Sequence, residues 1–139
     1  MAINFRYKSV PRRNNTDAVS PSIPLTLEGS ENSLDCVALL DSGADLSVIS
    51  REFAELLGLD LSGEQEPTFG IGGEANCVRS TMFVKVSNSH EHYSFHIPVM
   101  VILDSFDIDI LIGRQGFFDE FKITFDQPKK KIILKKHSS

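Results

Sequence analysis

The sequence predicts an all-β fold with two short helices, and three observations carry that reading. From residue 23 onward, apolar and polar residues repeatedly alternate at the two-residue period of a half-buried strand. Glycine, asparagine and aspartate clusters punctuate these stretches at turn positions. Helical spacing with clear start and stop signals occurs in one place, around residues 51–57. At 139 residues the chain has the length of one domain. It divides into an N-terminal extension (1–22, partly loop), a domain over 23–136 and a tail over 137–139.

In the extension, Ile3, Phe5 and Tyr7 alternate as in a strand. Pro11, Pro21 and the Asn14-Asn15 pair mark the remainder as loop. Ile23-Pro24-Leu25-Thr26-Leu27-Glu28 alternates, and residues 29–33 turn. Cys36-Val37-Ala38-Leu39-Leu40 is a continuous apolar run, read as a strand buried on both faces. The helix follows: Ser50 caps its start, Glu52 lies in its first turn, and Phe53, Leu56 and Leu57 form one apolar stripe. Gly58 supplies a left-handed stop.

Next, Gly70-Ile71-Gly72-Gly73 sits between Pro67-Thr68-Phe69 and the alternating positions Val78, Ser80, Met82, Val84 and Val86. This reads as a hairpin with a tip poor in side chains. Residues 87–91 turn again. Residues 95–103 read as a strand, with Pro98 placing it at an edge or a bulge. Residues 108–112 form a second buried apolar run. Gly113 leads into a short helix with Phe117, Phe118 and Phe121 on one side. The residues beyond read as a terminal hairpin turning at Asp126-Gln127-Pro128-Lys129.

Bulk properties exclude several classes. A net charge of −5 argues against nucleic-acid binding, which needs a basic face. No apolar run is long enough to span a bilayer, and residues 1–13 lack the apolar core of a secretion signal. Cys36 and Cys77 stand in no metal or redox spacing and read as reduced thiols, so the expectation is a cytoplasmic protein.

The chemistry concentrates in Leu39-Leu40-Asp41-Ser42-Gly43-Ala44-Asp45, where an apolar strand delivers an aspartate into a Ser-Gly turn. These residue types also make ordinary turns. The apolar residues on both sides, through Leu46-Ser47-Val48-Ile49, favour a site, because a buried carboxylate without a partner is costly. Two carboxylates sharing a proton can activate water and protonate a leaving group. The run occurs once, so a second carboxylate has to come from another copy of the chain.

Three segments in this order resemble the retropepsins, the single-lobe, homodimeric aspartic peptidases of retroviruses and their cellular relatives. Leu40-Asp41-Ser42-Gly43-Ala44-Asp45 resembles the catalytic loop. Gly70-Ile71-Gly72-Gly73, about thirty residues later, resembles the tip of the flap that closes over bound peptide. Ile110-Leu111-Ile112-Gly113-Arg114 resembles the strand that crosses behind the active site. The resemblance implies a closed-barrel-like fold, a homodimer, a peptide or protein substrate and no cofactor. It implies Asp41 as catalytic aspartate and Ser42 as an interlocking hydroxyl. Gly43 and Asp45 would line the cleft, and Gly70, Ile71, Gly72 and Gly73 would form the flap. Asp45 and Arg114 match an ion pair, for which an Arg fork suits a carboxylate. The expected activity is hydrolysis of peptide bonds in extended, largely apolar segments. The rival is a silent peptide-binding or dimerisation module on the same fold. The added helix and the longer termini resemble cellular and prokaryotic relatives more than retroviral enzymes.

Other features read as structural. His90, His92 and His96 lack the closed ligand set of a metal site, so no metal is expected. Lys129-Lys130-Lys131 with Lys135-Lys136 reads as charge guarding an edge strand.

Overall fold

The computed structural model describes residues 2–11, 17–70, 73–104 and 108–137. In chain order the strands are β1 (Ala2–Arg6), β2 (Lys8–Pro11), β3 (Asp17–Ser20), β4 (Ser22–Glu28), β5 (Ser33–Leu40) and β6 (Ser47–Ser50). Helix α1 (Arg51–Leu57) follows, then β7 (Gln65–Gly70), β8 (Gly73–Ser87), β9 (His92–Ile102) and β10 (Leu111–Ile112). A helical turn, Arg114–Phe118, leads to β11 (Phe121–Asp126) and β12 (Lys131–Lys136).

Seven strands form one sheet in the order β4-β5-β10-β6-β9-β8-β7, and β4 also pairs with β8. That extra pairing closes six strands into a barrel and leaves β7 hanging from β8 as an outer strand. Closure pairs the β4 edge that would otherwise invite aggregation, while β7 keeps one edge open among the described residues. The alternation read from the sequence decides which side chains fill the barrel. Ile23, Leu25 and Leu27 of β4 point inward, as do Val78, Met82, Val84 and Val86 of β8. Ala38, Leu40, Ile49, Ile97, Val101 and Ile112 complete this core, with Leu57 of α1 against it.

The ends of the chain form a separate three-stranded sheet, β1-β12-β11. Ile3, Ile132 and Leu134 are fully buried there. Phe121 joins this sheet to the barrel: its ring lies 5.2 Å from that of Phe117 and 5.4 Å from that of Tyr93. Such offset and edge-on contacts are the favoured aromatic geometries.

Helix α1 begins and ends as its sequence predicts. The Ser50 hydroxyl accepts from the Phe53 N–H at 3.3 Å, and Gly58 adopts φ 78°. The β4–β5 turn then covers the helix end. Ser30 Oγ donates to the Gly58 carbonyl at 2.7 Å and Asn32 Nδ2 to the Leu56 carbonyl at 2.8 Å, satisfying acceptors the helix itself leaves open.

Three expectations are corrected and a fourth is refined. Residues 8–11 and 17–20, read as loop, are paired strands. Their polar composition hid a backbone ladder that needs no apolar face. The run 36–40 is not buried on both faces: Ala38 and Leu40 fill the core, but Val37 is 47% exposed. The short helix after Gly113 is present but kinked and not regular, with Gln115 and Gly116 outside helical geometry. Gly116 takes φ 88°, and a Cβ there would lie 2.8 Å from Ile97 Cβ, so close packing on β9 kinks the helix. The lysine-rich β12 is the centre of its sheet, not an edge, because β1 returns to cover its second side. Pro98 does sit at a local edge: β9 pairs with β6 only from Val99 onward. No helix among the described residues is long and apolar enough to cross a membrane.

Candidate active site

Asp41 stands where β5 ends, and its loop is tied to the strand beside it. The Asp41 N–H donates to the Ile112 carbonyl at 2.9 Å, extending the parallel β5–β10 pairing by one rung. The Asp41 carbonyl accepts from the Ala44 N–H at 3.2 Å. Its carboxylate Oδ1 accepts from the Gly43 N–H at 2.9 Å. Asp41 is half-buried, while Ser42 and Gly43 are exposed. The carboxylate is thus held by backbone and presented at the surface of one end of the barrel.

Residues 113–115 brace the far side of this loop. Arg114 N–H donates to the Ala44 carbonyl and Gln115 N–H to the Asp45 carbonyl, both at 2.9 Å. Gly113 N–H donates to Ser47 Oγ at 3.1 Å. Gly113 also presses on the loop: a Cβ there would lie 2.5 Å from the Leu46 carbonyl carbon and oxygen. The Arg114 guanidinium pairs with the Asp45 carboxylate, and both side chains are more than half exposed. Asp41, Ser42, Gly43, Asp45 and Arg114 are therefore gathered at one end of the barrel.

An apolar row runs outward from Asp41. Leu39, Leu111, Val48 and Met100 stand directly opposite one another on β5, β10, β6 and β9. Opposed residues share a sheet face, and all four are only partly buried. Strand alternation that puts Leu39 on this face carries on to Asp41. Val48 and Met100 pack against a second cluster, Ala75, Cys77 and Ile102, at the base of the β7–β8 hairpin. Sequence reasoning missed this row because it depends on register between distant strands. The local signal was the alternation inside residues 36–40, which predicts one face for Leu39 and the other for Ala38 and Leu40.

The hairpin is anchored at a definite point. Gly70 faces Gly73 across its end; Ile71 and Gly72 lie outside the described residues. Asn76 ties it to the barrel by hydrogen bonds: its carbonyl accepts from the Leu103 N–H at 2.9 Å, and its N–H donates to Asp104 Oδ2 at 2.6 Å. Glu66 and Arg79 bridge the two strands at 2.7 Å. Cys77 Sγ donates to the Glu66 carbonyl, and burial, then the Glu66 charge, push its thiol up from the ordinary range. Asp104 and Asn76 were not singled out by sequence.

His96 packs against Phe83 with ring centroids 4.8 Å apart and the ring planes tilted by 58°. Among the described residues no group of three acidic, His or Cys side chains could hold a metal ion. Both cysteines are free thiols.

The crystal structure of a retropepsin-like aspartic protease from Rickettsia conorii superposes with a TM-score of 0.56 at 18% identity, covering 96% of this chain and 91% of that one. The retroviral protease-like domain of Ddi1 from Leishmania major superposes with a TM-score of 0.48 at 19% identity, over 78% of this chain and 82% of that one. Among curated proteins none matches in sequence. The Rickettsia likeness identifies the fold as retropepsin-like. The aspartyl protease family model matches residues 23–115, from the start of the barrel through the Arg114 brace, and the chain belongs to that family.

Proposed function

We propose that the chain is an aspartic endopeptidase that works as a homodimer, with Asp41 and its symmetry mate activating water. The observation that carries this reading is the Asp41 carboxylate, bonded by the Gly43 N–H and set at the end of a half-exposed apolar row. Two such carboxylates brought together share one proton, because close like charges do not both ionise cheaply. The unprotonated member takes a proton from water as it attacks the peptide carbonyl. The protonated member supports the developing oxyanion, and a proton then passes to the leaving amine. Ser42 bonds across the pair, and Asp45 lines the cleft.

An extended peptide suits such a cleft, because strand addition satisfies its backbone while alternate side chains enter apolar pockets. Leu39, Leu111, Val48 and Met100 are the surface for those side chains. The β7–β8 hairpin acts as the flap, with Asn76 and Asp104 at its hinge. Closing it excludes water and completes the site. The protein acts in the cytoplasm.

The test is cleavage of a peptide library or casein by purified wild type and Asp41→Asn. Cleavage on the acidic side with a bell-shaped pH profile, lost in the variant, is the expected result. Equal cleavage by both would overturn the mechanism. Binding of peptides by wild type without any cleavage would support a silent module instead.

A further inference from the structure

Among the described residues, strands β2 and β3 form a ribbon with no third strand. Lys8–Pro11 pairs with Asp17–Ser20 as a two-stranded sheet of its own, while the other strands lie in the three- and seven-stranded sheets. A two-stranded ribbon on its own is marginally stable in water at best. This one also carries Val19, which at 56% is the most exposed large apolar side chain among the described residues.

The root of the ribbon is fixed beside the candidate catalytic carboxylate. Ser20 Oγ and Ser22 Oγ are buried and hydrogen-bonded at 2.9 Å. Between them, the Pro21 carbonyl accepts from the Leu40 N–H at 3.0 Å, one residue before Asp41. The ribbon therefore leaves the barrel at the end where Asp41 is presented. The terminal strand β12 is already paired on both sides within the same chain, with β1 and with β11.

We propose that the ribbon is the arm by which one copy of this chain holds the second, with Val19 as its apolar anchor. This rests on the reading that the site needs two Asp41 carboxylates. On that reading the partner must approach the Asp41 end of the barrel, and a ribbon rooted one residue from Asp41 lies on the surface it meets. A two-fold interface uses the same patch on both copies, so each arm lies against the other copy and both Val19 side chains leave water. The contact supplies the ribbon with the burial that its own two strands lack.

The test uses the full-length chain and two measurements. Sedimentation equilibrium compares wild type with Val19→Asp. Amide hydrogen exchange of wild type is followed over residues 17–20 at concentrations below and above the dimer midpoint. The expected result is a dimeric wild type and a dissociation constant raised about tenfold or more in the variant. The exchange of residues 17–20 should slow as dimer forms. A dimeric wild type with unchanged affinity in Val19→Asp, or with exchange of 17–20 indifferent to dimerisation, overturns the arm and leaves the two-carboxylate reading intact. A wild type that stays monomeric at every concentration overturns both. Should Val19→Asp fail to fold, the exchange measurement on wild type decides alone.

Discussion

Ser47 Oγ accepts a hydrogen bond from the Gly113 N–H at 3.1 Å, and both residues are buried. This bond joins the end of the Asp41 loop to the strand end that braces it, across 66 residues of sequence. Ser47→Ala removes the acceptor and leaves a buried donor unpaired, which costs about 1–3 kcal/mol. The loop then loses one of the bonds that fix its position, and on the endopeptidase reading a displacement of Asp41 by roughly 1 Å lowers activity about a hundredfold. Urea unfolding and peptide cleavage should fall together in this variant. An unchanged urea midpoint would mean that Gly113 does not depend on Ser47.

Gly113 acts on the same loop by contact. A methyl group at residue 113 would meet the Leu46 carbonyl at 2.5 Å, where the obstacle is backbone and not a flexible side chain. Gly113→Ala should destabilise by about 1–3 kcal/mol, the usual range for overpacking, and move residues 44–46. Gly63→Ala is the control, since its nearest neighbour is a Val78 methyl at 3.1 Å. Thermal melts of the two variants should separate clearly. Equal losses would point to a general intolerance of substitution at glycine.

Signals confined to a few neighbouring residues were legible in sequence. The cap at Ser50, the stop at Gly58 and the inward faces of β4 and β8 rest on such signals, and the structure has them. The Asp41 loop was also legible, because strand, carboxylate and turn are contiguous. The apolar row was not, because Leu39, Val48, Met100 and Leu111 meet only through the register of four strands. Asp104 was passed over because its role depends on a backbone N–H 28 residues away, at Asn76. The kink at Gly116 had the same kind of cause: it answers to Ile97, on another strand.

The Arg114–Asp45 pair separates stability from assembly. Both side chains are well exposed, so the pair contributes at most about 1 kcal/mol to the folded chain. The backbone bonds from Arg114 and Gln115 to the loop survive substitution of the side chain. Arg114→Ala should therefore leave the melting temperature of the monomer nearly unchanged. On the dimer reading its cost appears in association, with specific activity falling at low protein concentration and recovering at high concentration. Arg114→Lys keeps the charge but not the planar guanidinium and should resemble Arg114→Ala. An activity loss independent of protein concentration would place the role of Arg114 within one copy.

Cys36 offers a pH test of the fold that is independent of catalysis. Burial, and then the neighbouring Asp35 charge, push its thiol from 9.0 up to about 11. At neutral pH the reactive thiolate is then about a hundredfold scarcer than for an ordinary thiol. Alkylation by iodoacetamide, followed by mass spectrometry, should be correspondingly slow in the folded protein. The same shift has a stability consequence with a definite sign. The folded state holds this proton more tightly than the unfolded chain, so its contribution is complete below about pH 9. It declines as pH rises through about 11, because the unfolded chain gives up the proton first. Cys77 is shifted in the same direction, so the difference between wild type and Cys36→Ala isolates Cys36. Urea midpoints of the two should converge between pH 9 and 11 relative to their separation at pH 8. Rapid alkylation of folded Cys36 at neutral pH, at the rate of a free thiol, would contradict its placement against the core beside Asp35.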